Sequence, residues 1–169
     1  MNLIVAVDSI WGIGKDDHLL FRIREDMRRF RRLTVGKTIV FGRKTMETFP
    51  NGQPLPERKN IVMTRSSTIS SCEIQVCRSA GELFQTIRSI PSEEVFIVGG
   101  ESVYRQFLRF CEFAFVTRVE GVFDADAFFP DLDADSSWQI MEPGEPLHDG
   151  TLAYRWVTYH NLEPEGFPI

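Results

Sequence analysis

A chain of 169 residues, 43% hydrophobic and 25% charged, has the size and balance of one soluble globular domain, long enough to bury roughly two-thirds of the surface its unfolded form exposes. Its net charge of −5 excludes a general affinity for nucleic acid or an anionic membrane, because both need a positive field, and any anionic ligand must be held by a local cluster. Three cysteines without a CxxC pair (Cys72, Cys77, Cys111) and three scattered histidines (His18, His148, His160) exclude a disulfide framework and a zinc site and leave the thiols buried or idle.

The first apolar run, Leu3-Ile4-Val5-Ala6-Val7, is the kind of segment that fills a strand buried on both faces. No basic segment precedes it and Asp8 stops it, so it reads neither as a signal peptide nor as a membrane span, and a cytoplasmic protein is expected. Gly12, Gly14 and their polar neighbours show no period, which predicts a long loop to about Arg22. From Arg24 to Thr34, Met27, Phe30 and Leu33 recur at helical spacing between arginines. Strand and helix then alternate. Strands are expected over 38–41 and 60–64, with a short helix over 44–49 between them, and a capping box of Ser79 and Glu82 opens a helix carrying Leu83 and Ile87. Strands over 95–98 and 114–119 flank a helix near 102–110, and 152–162 reads as a long strand of a terminal hairpin. This order predicts a single α/β domain over 1–169: a mixed, mostly parallel sheet with an antiparallel C-terminal edge, flanked by helices.

Two strand-to-helix junctions carry glycine with basic or hydroxyl residues: Gly42-Arg43-Lys44-Thr45 and Gly99-Gly100-Glu101-Ser102. Glycine there lets backbone approach a ligand closely, and free N–H groups at a helix start attract phosphate; each glycine serves equally as an ordinary turn. Arg43, Lys44, Arg65 and Arg78 all follow predicted strand ends, where ligands of open α/β sheets bind, and a positive cluster there suits a 2′-phosphate, favouring NADP over NAD. Asp26 shares a helical stripe with Phe30 and Leu33, so its carboxylate either faces an apolar pocket or suits the positive helix start beside Glu25. The run Arg28-Arg29-Phe30-Arg31-Arg32 reads as a solvated helix face with Phe30 in the core, or as an RNA-binding stretch.

Taken in order, these pieces resemble the dihydrofolate reductase family from Leu3 to about Tyr159. The carrying stretches are Ile4-Val5-Ala6, Trp11-Gly12-Ile13-Gly14, Glu25-Asp26 with Phe30, Gly42-Arg43-Lys44-Thr45, Pro54-Leu55-Pro56 before Arg58-Lys59-Asn60, Val98-Gly99-Gly100 with Tyr104, Thr117, and Phe129-Pro130-Asp131. The resemblance implies an eight-stranded sheet whose cleft holds NADPH and dihydrofolate, with hydride passing to pterin C6 and a proton to N5. It assigns Asp26 as the acid that grips the pterin and Thr117 as its hydroxyl partner. Ile4, Val5, Ala6, Phe30, Phe49, Leu55, Val98 and Tyr104 are implied walls of the substrate site, with Arg58, beside Arg31, on the glutamate α-carboxylate. The implied cofactor residues are Ala6, Ile13, Gly14, Gly42, Arg43, Lys44, Thr45, Thr64, Arg65, Ser66, Arg78, and Val98 through Gly99, Gly100, Glu101, Ser102 and Val103 to Tyr104. Residues 9–20 match a mobile flap. Leu20-Phe21 departs from the Pro-Trp of many relatives, so no indole N–H stands there to hold a water, and Arg24 replaces a common proline.

The implied enzyme is a monomer with a small-molecule substrate and no metal, nucleic acid or membrane partner. Two rivals stand beside it: the related reductase of riboflavin synthesis, against which Asp26, Phe30 and Arg58 speak, and a non-catalytic nucleotide- or RNA-binding module resting on the arginine run.

Overall fold

The computed structural model describes every residue except Ser67, Thr68, Ser70, Ser71 and Ile169. In chain order it contains strands β1 (Asn2–Val7), β2 (Gly12–Lys15) and β3 (His18–Leu19), helix α1 (Arg24–Thr34), strand β4 (Thr38–Gly42), helix α2 (Arg43–Glu47), strands β5 (Lys59–Met63) and β6 (Ile74–Cys77), and helix α3 (Ala80–Ile87). Strand β7 (Val95–Gly99), helix α4 (Glu101–Phe107) and strands β8 (Phe113–Val119), β9 (Ala127–Phe128), β10 (Trp138–Glu142), β11 (Leu147–His148) and β12 (Ala153–Asn161) follow. Among the described residues no helix is long and apolar enough to cross a membrane.

Eight strands run in the order β10-β12-β8-β1-β7-β4-β5-β6, with β11 paired beside β12. The pairs from β8 through β6 are parallel, and β12 joins β8 and β10 antiparallel, so the mixed sheet with an antiparallel C-terminal edge is present. Alternation sends Leu3, Val5 and Val7 to one face, where they pack with Leu83, Ile87 and Phe107 of α3 and α4. Ile4 goes to the other face with Ile39 and Phe41, against Phe30, Leu33 and Met46 of α1 and α2.

Helix α1 forms because its apolar stripe meets that second face and its charges suit the dipole, with Glu25 and Asp26 in the first turn and Arg31 and Arg32 in the last. The stripe is narrower than its spacing suggests, since Met27 remains 46% exposed. Gly36, at φ +75°, turns the chain out of the helix. At α3 the capping box is realised one residue out of step: Glu82 N–H donates to the Ser79 hydroxyl, and the Glu82 carboxylate accepts from the Arg78 N–H instead of the Ser79 N–H.

The long loop expected from Asp8 to Arg22 is instead largely a hairpin. β2 and β3 pair around the turn Asp16-Asp17, and β2 also pairs with β9, making a small three-stranded sheet. These strands are too short for a period to show, and β9 comes from more than a hundred residues away. Strand β6 closes the far edge of the main sheet and ends directly before Arg78, in keeping with the placement of that residue past a strand end, while β10 supplies the near edge on a segment for which no strand is expected.

Candidate active site

Three strands place one row of side chains under the start of α1. Ala6 of β1 faces Thr117 of β8, and Thr117 faces Trp156 of β12. Residues directly opposite in a sheet share a face, so this register aims Thr117 and Trp156 at the same helix. The Thr117 hydroxyl donates to Asp26 Oδ1 at 2.5 Å, and the Trp156 indole N–H donates to the same oxygen at 3.1 Å. Among the described residues no hydrogen bond reaches Oδ2. Arg29, one turn along α1, lays its guanidinium 5.2 Å from the Trp156 ring centroid and 5.8 Å from that of Phe115. Burial pushes the Asp26 carboxyl above its ordinary range, against the opposing pull of the Thr117 and Trp156 hydrogen bonds and the Arg29 charge. The arrangement leaves a carboxyl that keeps its proton longer than usual, with one oxygen free.

Beyond Asp26 the second core cluster gathers Ile4, Phe30, Phe49, Leu55 and Val98 with Phe41, Phe96 and Phe115, and Phe49 stands edge-on to Phe41 at 4.9 Å. Val5 is not among them, because alternation along β1 sends its side chain to the opposite core with Trp11. Buried Asn60 holds the turn after Pro54: its side chain accepts from Leu55 N–H at 3.0 Å and donates to the carbonyls of Leu55 and Arg58. Arg58 is anchored in turn, Nε donating to the Thr34 hydroxyl at 2.9 Å and Nη1 to the Pro56 carbonyl at 2.6 Å, while its guanidinium lies over Phe30. Its Nη2 has no hydrogen bond among the described residues. Arg31 is exposed and paired with Glu57 at 2.9 Å.

The glycine junctions abut. Phe41 pairs with Gly99, Gly42 with Met63 and Met63 with Cys77, so the residues that follow β7, β4, β5 and β6 leave one edge of the sheet together. A Cβ on Gly42 would stand 3.3 Å from Val103, one on Gly100 3.3 Å from the Thr45 hydroxyl, and one on Gly99, at φ +119°, 3.3 Å from Tyr104. Neither Gly42 nor Gly100, the residues before α2 and α4, supplies a side-chain cap. Arg43 pairs with Glu47 and Lys44 with Asp17 at the tip of the β2–β3 hairpin. Arg65 and Arg78, exposed on the same edge, have no ion-pair partner among the described residues. The Thr64 hydroxyl accepts from the Ser66 N–H. Tyr104 is buried, donating its hydroxyl to the Ile4 carbonyl at 2.6 Å, and Ser102 is exposed. Glu101 accepts from the Phe128 N–H and from Arg105, which ties α4 to the small sheet where Gly14 pairs with Ala127 and Ile13 packs on the core.

Three contributors escaped the reading of the sequence. Trp156 and Arg29 reach Asp26 only through the β8–β12 register and the helical turn. Asp8, fully buried, accepts from the N–H groups of Ile10 and Gly12 and, with its other oxygen, from Phe123, closing the base of the hairpin; an acid directly after an apolar strand and four residues before a glycine was its only signal.

Comparison with known proteins places this geometry. A family model described as dihydrofolate reductase matches residues 1–161. The chain is 36% identical to a dihydrofolate reductase of Staphylococcus haemolyticus over 96% of its own length and 95% of the relative's. It is 31% identical to one of Bacillus subtilis (94% and 93% of the two chains) and 36% identical to one of Aedes albopictus (95% and 97%). With the sheet order, the partly buried acid and the abutting glycine junctions already in place, a match running through nearly all of both chains means that the chain belongs to the dihydrofolate reductase family.

Proposed function

We infer that the chain reduces 7,8-dihydrofolate to tetrahydrofolate with NADPH, adding hydride at pterin C6 and a proton at N5, and so feeds one-carbon metabolism. The observation that carries the reading is Asp26: a partly buried carboxyl held by Thr117 and Trp156 through one oxygen, its other oxygen free, beside the aromatic and aliphatic wall of Phe30, Phe49, Ile4 and Leu55. A pterin ring is flat and apolar on its faces and carries N–H donors along one edge, which matches such a wall with an acid at one end. Raised by burial, the same carboxyl suits proton delivery toward N5, directly or through water.

The edge at Gly42, Gly99 and Gly100 fits a dinucleotide. Side chains are absent where backbone must come close, the two helix starts carry no cap of their own, and Arg65 and Arg78, at the next two strand ends, have no ion-pair partner among the described residues. Arg43, Lys44 and Thr45 would hold one phosphate region, and the segment from Gly99 to Tyr104 the other. When bound, the reduced nicotinamide supplies the hydride. The chain's own residues orient the two rings and exclude water, and the β2–β3 hairpin, latched by Lys44 to Asp17, is placed to cover the junction.

NADPH oxidation followed with and without dihydrofolate tests the reading, and oxidation that does not depend on dihydrofolate would overturn it. A preference for NADPH over NADH is expected, because only the 2′-phosphate can use Arg65 and Arg78. Arg65→Gln should weaken NADPH about tenfold, the loss of one charge-assisted hydrogen bond, and leave NADH unchanged; equal kcat/KM for both cofactors in the parent would exclude this role. Amides of residues 9–20 should exchange quickly in the free protein and slowly once NADPH and a folate analogue are bound. Full protection without ligand would mean that the hairpin is not a flap.

A further inference from the structure

Asp26 receives two donors, and both go to the same oxygen. The Thr117 hydroxyl comes from β8 and the Trp156 indole from the neighbouring position on β12, while Phe21, buried against Phe123 below the hairpin, has no N–H to offer. Trp156 is itself held by the Arg29 guanidinium on its face and tilted against Tyr154. The Nη1 of Arg29 is buried with no hydrogen-bond partner among the described residues, so Arg29 serves here through stacking and charge and not as a hydrogen-bond partner of the carboxylate.

We propose that Trp156 is a positioning residue for Asp26: its indole N–H, together with the Thr117 hydroxyl, fixes Oδ1, so that the orientation of the carboxyl group is set from β12 and the proton that Asp26 handles is directed to Oδ2. The proposal rests on the reading of Asp26 as the acid of the reaction. An oxygen that already accepts two hydrogen bonds is a poor site for a proton, whereas Oδ2 accepts none among the described residues. The same bond sets how readily Asp26 ionises, because a donor to a carboxylate favours the charged form. The other charge that bears on Asp26 is that of Arg29 from α1, which favours ionisation; Tyr154 of β12 feels the charges of both Asp26 and Glu25, and Arg32 and Glu142 act on Arg29. Of these only Trp156 and Thr117 touch the carboxylate, and only Trp156 can lose its donor while keeping an aromatic ring under Arg29.

The test uses Trp156→Phe, Asp26→Asn and the parent. In the parent, kcat/KM for dihydrofolate is expected to hold a plateau at low pH and to fall as Asp26 ionises. Trp156→Phe should move that fall to higher pH, raising kcat/KM relative to its own plateau by up to about tenfold on the alkaline side, as loss of one hydrogen bond to a charge requires. A residue that only packs would lower the melting temperature and leave the profile in place. The second readout does not depend on that variant folding: in 15N-labelled parent the Trp156 indole N–H resonance, assigned through its neighbours, should titrate with the midpoint of the kcat/KM profile, and in Asp26→Asn it should not titrate. If Asp26→Asn keeps parental kcat/KM, the acid itself is misassigned and the proposal falls with it. If Asp26→Asn loses activity but the indole resonance does not titrate, or folded Trp156→Phe keeps the parental profile, the positioning role of Trp156 is wrong and the role of Asp26 stands.

Discussion

Asp26→Asn is expected to lower kcat/KM at neutral pH by about 10²–10⁴-fold, the range for loss of a positioned proton donor, while the protein stays folded and binds NADPH as before. Asparagine can accept from Thr117 and Trp156 through its own carbonyl oxygen, so the hydrogen bonds that fix the side chain survive. What disappears is the exchangeable proton at the free oxygen. Lower pH should restore part of the rate in the variant, because the medium then protonates the substrate before hydride arrives. Pre-steady-state hydride transfer measured against pH, with and without the substitution, checks this; a variant with parental kcat/KM at pH 7 would remove Asp26 from the mechanism.

The stability of that variant carries independent information. A carboxyl whose folded pKa lies above its ordinary value of 3.8 binds its proton more tightly in the folded chain than in the unfolded one. Its contribution to stability is therefore complete below that ordinary value, is lost as pH rises through the raised folded value, and at neutral pH is replaced by the cost of a partly buried charge. Asp26→Asn has no charge to bury, so its melting temperature at pH 7 should equal or exceed that of the parent, and the two proteins should converge as the medium becomes acidic. An acid that merely suited the helix dipole would show the opposite sign, with asparagine the less stable at neutral pH.

How far such a site can be read from residues alone depends on the distance over which it is built. Helix α1 was legible because 11 residues repeat one spacing and put acids first and bases last, and the capping box of α3 was legible because it lies within four residues. The glycine junctions could be placed because each sits directly after a buried strand. Strand β6 is only four residues long, so its alternation of Ile74 and Val76 about Gln75 covers too few residues to mark it, and β10 buries only Trp138. The small sheet of β2, β3 and β9 is assembled from glycine-rich or two-residue strands, and its pairing is tertiary. Trp156 lay within an expected terminal strand, yet its donation to Asp26 depends on a register across 130 residues of chain, which local spacing does not encode. Val5 shows the converse: it stands between Ile4 and Ala6 in sequence and on the other side of the sheet from them in space.

Arg58→Lys should raise the KM for dihydrofolate on the order of 100-fold, the loss of a bidentate charge-assisted pair, with a smaller change in kcat. The guanidinium is pre-set by its own framework: the Thr34 hydroxyl, which donates to the Phe30 carbonyl, accepts from Nε, and the Pro56 carbonyl accepts from Nη1. These bonds hold the planar group at the end of the apolar wall with Nη2 and the second Nη1 hydrogen unclaimed, a fork that fits the two oxygens of a carboxylate. An ammonium has no plane to fix. Lysine at this position could satisfy Thr34, or Pro56, or a carboxylate, and would pay more side-chain entropy to do any of them. Because Arg58 also ties the end of α1 to the turn after Pro54, a purely structural role must be separated from binding. A pterin substrate without the glutamate tail provides the separation: its kinetics should be nearly the same in parent and variant. Thr34→Val, which removes the anchor and keeps the guanidinium, should fall between the two for dihydrofolate. If Arg58→Lys impaired the tailless pterin as much as dihydrofolate, the arginine would be holding the turn and α1 together, and the carboxylate of the substrate would have to be met by another group.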